Sequence, residues 1–237
     1  MVIASACVFN NYLDRGIDRK MARTRARALA AGRIRPVAAL VYAAGLGAVG
    51  FVVLGLFTNW LVVGLGAISL FFYVVLYGIG KRRSVHGTLI GSIPGAAPPV
   101  AGYLAVTDHL DTAAVLLFLI LVCWQMPHFY AIAMYRYKDY KAAGLPVLPV
   151  KSGMRAARLQ TLSYIVLFTA AAAALAIAGP AGYIYLAVVI LLGAYWLFIG
   201  LRHYHLSDDK WGRKMFFASL KVTVVLSLAI AAGSALP

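Results

Sequence analysis

Residues 36–57 read PVAALVYAAGLGAVGFVVLGLF, an uninterrupted run of 22 residues without a charged side chain. A bilayer core about 30 Å thick is crossed by a helix of about 20 apolar residues. Six further runs share this character, so the sequence predicts seven membrane-spanning helices at residues 36–57, 59–80, 88–107, 112–135, 157–178, 182–202 and 214–235. The runs are continuous and do not alternate, which argues against the strands of a membrane barrel.

The composition agrees with this pattern over the whole chain of 237 residues. Hydrophobic residues make up 63% of it and charged residues 12%, whereas a soluble domain carries about 25% charged residues. An ordinary soluble enzyme, a disordered chain and a disulfide scaffold are therefore excluded. No linker divides the sequence, and we predict one domain over residues 1–237 with the fold class of an all-α polytopic membrane protein.

The first 13 residues, MVIASACVFNNYL, are apolar but too short to cross a bilayer. They lack the basic start and the cleavage site of a signal peptide. We interpret them as the last part of a helix that begins earlier, and we expect the chain to be incomplete at its N-terminus.

Basic residues follow the predicted topology closely. Of the 22 lysines and arginines, 21 lie in four segments, at 15–35, 81–83, 136–158 and 202–214, which reach the ends of the predicted spans, and only Lys221 lies in the interior of a span. The intervening connections, at 58–59, 107–112 and 179–182, carry none. This positive-inside pattern predicts that the four basic loops face the cytoplasm. Because topology explains the net charge of +15, we expect no nucleic-acid partner.

Asn10, Asp14 and Asp18 form the first polar cluster. Steps of four residues advance by about 40° around a helix, so the three side chains share one face. Two carboxylates and an amide oxygen are ligands that suit Mg²⁺. The alternative is a solvated helix end whose acids pair with the interleaved Arg15, Arg19 and Lys20.

The second cluster lies in QMPHFYAIAMYRYKDY, residues 125–140. On one continuous helix, Gln125, His128, Tyr135 and Asp139 would share a face, with Asp139 at the cytoplasmic end and His128 deeper in the membrane. A deep histidine on the same face as an acid could ligate a metal or move a proton. The alternative is a histidine that is hydrogen-bonded to a neighbouring helix.

Two further features concern anions and a pocket. Lys81-Arg82-Arg83-Ser84 and Arg23-Thr24-x-x-Arg27 suit phosphate or carboxylate oxygens, although topology signalling explains them equally well. The stretch GSIPGAAPP at 91–99 is expected to break a helix inside the bilayer. Irregular backbone at that depth is tolerated only next to protein or a cavity, so the stretch predicts a pocket between helices.

Three blocks together resemble a known family. CVFNNYLDRGIDRKMARTRAR (7–27), KRRSVHGTLIGSIPGAAPPVAGY (81–103) and WQMPHFYAIAMYRYKDYKAAGLPVLPV (124–150) are similar to the heme-modifying branch of the UbiA prenyltransferase superfamily. The resemblance implies a nine-helix bundle whose cavity opens toward the cytoplasm. This chain would hold seven full spans and the end of an eighth, without the first helix and the start of the second.

The resemblance also implies a reaction. A farnesyl group would pass from farnesyl diphosphate to a vinyl group of heme B, water would be added, and heme O and diphosphate would result. Asn10, Asp14 and Asp18 match the motif that holds Mg²⁺ and diphosphate, and Asp139 matches the second acidic region of the metal site. The acid that many relatives carry four residues from that position is missing.

Further roles follow for the remaining matched residues. His128 would contact the heme or position water, and Tyr135 or nearby aromatic residues would stabilise the allylic cation. The diphosphate or the heme propionates would be bound by cationic side chains, namely Arg23, Arg27, Lys81, Arg82 and Lys138.

The expected partners are farnesyl diphosphate, heme B and the lipid bilayer of the inner (cytoplasmic) membrane, with a heme A synthase or a terminal oxidase as a protein partner. Three alternatives stay open at this point. The chain could be a UbiA-type enzyme that acts on an aromatic or quinone precursor, a membrane transporter, or a folded but inactive fragment.

Overall fold

The computed structural model describes residues 1–178 and 182–233. Within these ranges the secondary structure is helical, without strands. Seven of the described helices are long and apolar enough to span a membrane, which confirms the seven predicted spans. The last of them begins at Asp208 rather than at residue 214. The predicted connection at 179–182 and the end of the span at 214–235 lie partly outside the described residues.

The described helices are numbered in chain order as α1 (Val2–Asp18), α2 (Pro36–Phe57), α3 (Trp60–Phe71), α4 (Tyr77–Arg83), α5 (Gly87–Thr107), α6 (Thr112–Tyr135), α7 (Tyr137–Ala142), α8 (Leu148–Lys151), α9 (Met154–Ala178), α10 (Gly182–Arg202) and α11 (Asp208–Gly233). A π-helical segment, Phe72–Leu76, joins α3 to α4. These three elements form one continuous membrane-length helix.

The chain groups into two compact units. The first unit covers residues 1–109 and 138–150 and contains α1 to α5 and most of the two short helices that follow α6. The second unit contains α6, α9, α10 and α11.

In the first unit, α1 packs against a face of small residues on α2. The buried residues of α2 are Ala39, Ala43, Gly47 and Gly50. The Ser5 hydroxyl donates to the Ala43 carbonyl oxygen at 2.7 Å. A Cβ at Gly47 would lie 2.9 Å from the Ser5 Oγ. Small residues let membrane helices approach closely, and this contact fixes the position of α1.

The predicted helix break at residues 91–99 is wrong. Helix α5 continues from Gly87 to Thr107 with Pro94, Pro98 and Pro99 inside it. A proline removes one intrahelical hydrogen bond, but membrane helices tolerate this loss when neighbouring groups and local adjustments compensate. The flanking residues 95–97 are glycine and alanine, which leave room for such adjustment. The irregular backbone of this unit lies instead in the π-helical segment.

In the second unit, α6 packs against α9 and α11. The approach of α11 is close, because a Cβ at Gly212 would lie 2.9 Å from the Ala131 carbonyl oxygen of α6. The turn between α10 and α11 is held by the buried Arg158, which donates to the Asp208 carboxylate and to the carbonyl oxygens of Tyr204 and Leu206.

Helix α6 ends at Tyr135, and Arg136 leaves the helical conformation with φ −105° and ψ 22°. Asp139 lies on the separate helix α7. The prediction that Asp139 shares one continuous helix face with Gln125, His128 and Tyr135 is therefore wrong. Pro127, which is buried inside α6, does not end the helix.

Candidate active site

Asn10, Asp14 and Asp18 lie on α1 at the predicted four-residue spacing, and we call them the acidic stripe. Asp14 is 8% exposed and Asp18 is 4% exposed, so the carboxylates face protein rather than solvent. A buried carboxylate is costly unless it is paired. The structure pairs both of them with cations.

Lys81 and Arg82, near the end of α4, neutralise the middle of the stripe. The Lys81 ammonium donates to the Asn10 Oδ1 at 2.5 Å and to the Asp14 Oδ2. The Arg82 guanidinium donates to the Asp14 Oδ1 at 3.2 Å. The Lys81 side chain is 10% exposed, so solvent screens this ion pair less than a surface pair.

A close backbone approach holds Lys81 in this position. Helix α5 begins at Gly87, and a Cβ at Gly87 would lie 2.6 Å from the Lys81 Cα and 2.8 Å from its backbone nitrogen. Only glycine allows two backbones to approach so closely. Gly87 therefore sets the distance between α5 and the residue that contacts Asp14.

The loop between α1 and α2 folds back onto the end of the stripe. The Arg27 Nη1 donates to both Asp18 carboxylate oxygens, at 3.2 and 3.1 Å, and to the Asn11 Oδ1. The buried Thr24 donates from its hydroxyl to the Asp18 carbonyl oxygen at 3.1 Å. Arg23, on the same loop, is exposed.

The sequence left open whether the acids pair instead with the interleaved Arg15, Arg19 and Lys20, and the structure shows other contacts for the two arginines. Arg15 donates to the Tyr12 carbonyl oxygen and Arg19 to the Ala30 carbonyl oxygen, and Lys20 is exposed. The carboxylates of the stripe are thus bonded to cations that lie outside α1. This arrangement distinguishes the stripe from a solvated helix end.

An aromatic pair adjoins the Lys81 ammonium. The rings of Tyr73 and Tyr77 stack with centroids 5.5 Å apart and an interplanar angle of 21°. The Lys81 Nζ lies 4.7 Å from the centroid of the Tyr77 ring. A Cβ at Gly91 would lie 2.8 Å from two ring atoms of Tyr77. The absence of a side chain at Gly91 therefore leaves the space that the Tyr77 ring occupies. The four-residue spacing of Tyr73, Tyr77 and Lys81 was a signal that the sequence analysis missed.

An apolar cavity of about 440 Å³ lies in the same unit. It is lined from α1, α2, α3 and α5, and Tyr73 and Cys7 are among its lining residues. Pro94 and Pro98 also line it, so the pocket expected near residues 91–99 is present although the helix is unbroken. Cys7 precedes Asn10 by one helical turn and Tyr73 stacks on Tyr77, so the cavity adjoins the charged cluster.

Asp139 is half-buried on α7, and Lys138 beside it is exposed. Among the residues that the structure describes, the cations bonded to the acidic stripe pair with Asp14 or Asp18 and not with Asp139. The neighbouring Tyr140 lies near enough to Tyr77 for an electrostatic effect, so α7 lies close to the aromatic pair. The roles predicted for Asp139 and Lys138 stay predictions.

In the second unit, His128 lies in an aromatic setting. Its ring stacks on Trp124 with centroids 5.0 Å apart and lies 5.0 Å from the ring of Phe216. Tyr135 contacts the same phenylalanine, with ring centroids 5.6 Å apart. Gln125 is buried, and its amide donates to the Leu121 carbonyl oxygen.

Ser219 of α11 sets the protonation pattern of His128. The Ser219 hydroxyl donates to the Phe216 carbonyl oxygen at 2.6 Å, so it accepts the hydrogen bond from the His128 Nδ1 at 2.8 Å. This arrangement favours the tautomer with the proton on Nδ1 and the lone pair on Nε2. The sequence analysis did not single out Ser219, because a serine 91 positions away carries no local signal.

The donor set of the stripe fits a hard divalent cation. It offers two carboxylates and one amide oxygen, which are the ligand types that Mg²⁺ prefers. Over residues 1–178 and 182–233, no group of three His, Cys, Asp or Glu side chains converges as a metal site. The stripe itself contributes two such residues, and its third donor is the amide of Asn10.

The seven membrane-length helices among the described residues define a multi-pass membrane protein. Its first unit holds a buried, cation-paired acidic stripe beside an apolar cavity. A profile of the UbiA prenyltransferase family matches residues 1–221, a stretch that runs through both compact units. The chain belongs to the UbiA prenyltransferase family.

Two named relatives are similar to the chain over its whole length. The chain is 48% identical to the protoheme IX farnesyltransferase of Klebsiella pneumoniae over 239 aligned residues, which cover 100% of this chain and 81% of that protein. It is 47% identical to the protein of the same name from Escherichia coli O1:K1, with the same coverage.

Two solved structures share the fold. A structure described as giving insights into digeranylgeranylglyceryl phosphate synthase in membranes matches with a TM-score of 0.80 and 21% identity, over 98% of this chain and 81% of that one. The apo structure of a UbiA homologue from Aeropyrum pernix K1 matches with a TM-score of 0.66 and 17% identity, over 98% of this chain and 84% of that one.

Proposed function

We propose that the chain transfers a farnesyl group from farnesyl diphosphate to a vinyl group of heme B, with addition of water, to give heme O and diphosphate. The observation that carries the proposal is the Lys81–Asp14 pair of the acidic stripe next to an apolar cavity in the same unit. A charged site beside an apolar cavity matches a prenyl diphosphate, which has an anionic head and a hydrocarbon tail. The names of the relatives support farnesyl as the tail and protoheme IX as the acceptor.

Asn10, Asp14 and Asp18 are the residues that would hold Mg²⁺. UbiA prenyltransferases as a class generally depend on a divalent metal, and a bound Mg²⁺ neutralises the charge that develops on the leaving diphosphate. The fit of the donor set supports this assignment, with Asp139 as a fourth candidate ligand from the resemblance.

The cations that pair with Asp14 of the acidic stripe would bind the diphosphate directly. Lys81 and Arg82 bond to carboxylate oxygens, and their ammonium and guanidinium groups match phosphate oxygens equally well. They would turn from Asp14 to the substrate while the carboxylates engage the metal. Arg27 would keep Asp18 in place, and the exposed Arg23 and Lys138 are further candidates for the diphosphate or the heme propionates.

The farnesyl tail would occupy the apolar cavity. Its volume of about 440 Å³ lies within the range of about 300–1,000 Å³ that is usual for ligand pockets. Cys7 lies one turn from Asn10 on α1, so a tail in the cavity would place its first carbon next to the acidic stripe.

The chemical step breaks the bond between the first farnesyl carbon and the diphosphate oxygen. An allylic cation results, and the outer vinyl carbon of heme B bonds to it. The positive charge then lies next to the porphyrin, where water adds as a hydroxyl group and releases a proton. Tyr77 and Tyr73 adjoin the diphosphate site, and their ring faces would stabilise the first cation. Tyr135, the aromatic residue expected from the resemblance, stays a candidate.

His128 is proposed as the residue that contacts heme. The hydrogen bond with Ser219 leaves the Nε2 lone pair available to bind the heme iron or to accept a proton from water. Stacking on Trp124 fixes the plane of the ring. The imidazole of His128 would thus be held in a fixed orientation within the second unit.

We further propose that the basic loops and the mouth of the site face the cytoplasm, and that the membrane is the inner membrane of the cell. A heme A synthase or a terminal oxidase would receive the product. An aromatic or quinone precursor is the alternative acceptor, while membership of the prenyltransferase family argues against a transporter.

A competition between acceptors tests the proposal. Purified chain in lipid nanodiscs receives farnesyl diphosphate, Mg²⁺ and equal amounts of heme B and 4-hydroxybenzoate, and the products are separated by mass spectrometry. Heme O with an equal amount of diphosphate is expected. Prenylated 4-hydroxybenzoate without heme O would overturn the choice of acceptor, and the absence of diphosphate release would overturn the enzyme assignment.

A further inference from the structure

A groove of about 520 Å³ lies along α10 and α11 in the second unit. Four cationic side chains line it, namely Lys210, Arg213, Lys214 and Lys221. Tyr195 and Ile199 of α10 and Phe217 of α11 supply apolar walls. The groove therefore joins a positively charged surface to an apolar one.

The cations form one stripe on the outer face of α11. At 100° per residue, Lys214 and Lys221 lie within about 40° of Lys210. Ser219, which contacts Trp124 and His128 of α6, lies about 180° from Lys210. The stripe thus points away from α6, and all four cationic residues are exposed.

Over the residues that the structure describes, three of the four groove cations lack acidic partners, and the fourth, Lys210, lies beside Asp209. Asp208, at the start of α11, is engaged by the buried Arg158 at 2.8 Å. In the described parts of the chain, Arg213, Lys214 and Lys221 form no ion pair with any carboxylate. Arg213 lies over the ring of Phe217, 6.0 Å from its centroid, so a cation borders the apolar wall directly.

The cations begin near the start of α11, the end at which the basic loop at 202–214 predicts the border of the membrane. Lys221 lies seven residues beyond Lys214 along α11, a rise of about 10 Å. It is the one lysine in the interior of a predicted apolar span rather than at its end, and a lysine in such a place extends its ammonium toward the headgroup region. Basic pockets between membrane helices on the cytoplasmic side are suited to anionic lipid headgroups.

From this charge complementarity we infer that the groove binds an anionic phospholipid of the surrounding membrane. Lys214, Lys221 and Arg213 bind the phosphate oxygens, and one acyl chain packs along Phe217 and Tyr195. The site is separate from the acidic stripe, and its occupation does not depend on which acceptor the enzyme uses.

Native mass spectrometry of the purified full chain tests the inference, with phosphatidylglycerol and phosphatidylcholine of the same acyl length as probes. The variant Lys214→Gln/Lys221→Gln should bind phosphatidylglycerol about 30-fold more weakly, the effect of about two lysines at a membrane surface. The control Lys151→Gln/Arg155→Gln removes two exposed charges from the same unit outside the groove, and should bind like the parent.

A second variant separates lipid binding from misfolding or from binding of a free anion. Phe217→Ala should weaken binding of long-chain phosphatidylglycerol while leaving the dihexanoyl form unchanged. Equal binding of phosphatidylcholine, an equal loss in the control variant, displacement of the lipid by millimolar inorganic phosphate, or a dimer that excludes lipid would each overturn the inference.

Discussion

The Lys81 ammonium on α4 donates a hydrogen bond to the Asp14 carboxylate on α1, across 67 positions of sequence. The same ammonium reaches Asn10, while Arg82 holds the other oxygen of Asp14. One carboxylate is thus shared by two cations, the largely buried Lys81 and the more exposed Arg82. The groups proposed to bind a metal and the groups proposed to bind diphosphate are already within contact distance of each other.

The contact between Gly87 and the Lys81 backbone makes Gly87→Ala a test of this arrangement. The added Cβ would lie 2.6 Å from the Lys81 Cα, so α5 and α4 must separate. We expect heme O formation to fall about 100-fold, as for a misplacement of about 1 Å in a catalytic site. Steady-state assays of the purified variant measure this.

Gly102→Ala in the same helix is the matched control, because a Cβ there meets no atom within 4 Å. It should keep the parental rate and stabilise α5 by about 0.5–1 kcal/mol. A parental rate for Gly87→Ala would show that the position of Lys81 does not limit catalysis.

Two substitutions of Tyr77 distinguish stabilisation of a cation by its ring from simple packing. Its ring touches Gly91 and lies under the Lys81 ammonium. Tyr77→Phe keeps the ring face, so kcat should stay within about threefold of the parent, whereas Tyr77→Leu should lower kcat by about 10-fold, the worth of roughly 1–2 kcal/mol of cation–π stabilisation. Equal rates for the two variants would contradict stabilisation of the allylic cation by the ring.

The apolar cavity predicts a dependence on tail length. Ala101 lines the cavity, and Ala101→Phe would place a ring in it. The KM for farnesyl diphosphate should rise about 10-fold, a cost typical of overpacking, and the KM for the shorter geranyl diphosphate should rise less. The control is Ala105→Phe, one turn further along α5 at an exposed position outside the cavity lining. Equal effects on both substrates would place the tail elsewhere.

The hydrogen bond from His128 to Ser219 predicts a spectroscopic effect. Ser219→Ala removes the group that holds the Nδ1 proton, so heme B should bind about 10- to 100-fold more weakly, the range for loss of a partner behind a ligating histidine. Absorption titrations with heme B measure this, and Ser227→Ala on the exposed face of α11 serves as control. If His128→Ala leaves the heme spectrum unchanged, His128 does not contact heme.

The spans and the acidic stripe could be predicted because their signals are local. Length and hydropathy define residues 36–57 as a span, and a four-residue spacing places Asp14 and Asp18 on one face of any helix. Neither property depends on what the helices contact.

The partners of the stripe could not be predicted, because they depend on packing between distant segments. Lys81 reaches Asp14 through the approach of α5 at Gly87, and Arg27 reaches Asp18 through the turns of a loop. The helix end at Tyr135 has a similar origin: the apolar pattern continues toward Asp139, but the backbone changes direction at Arg136. The prolines of α5 predicted a helix break that is absent, because neighbouring groups in the membrane compensate for the lost hydrogen bonds.

The most direct measurement of the central claim is the Mg²⁺ dependence of diphosphate release from farnesyl diphosphate in the presence of heme B. The parent should release diphosphate only with added Mg²⁺, in step with heme O. Asp14→Asn should lose about 100-fold or more in rate, since it removes a carboxylate that would hold Mg²⁺ at the leaving diphosphate. The exposed Asp108→Asn should match the parent. Parental, Mg²⁺-dependent release by a folded Asp14→Asn protein would contradict the assignment of the acidic stripe.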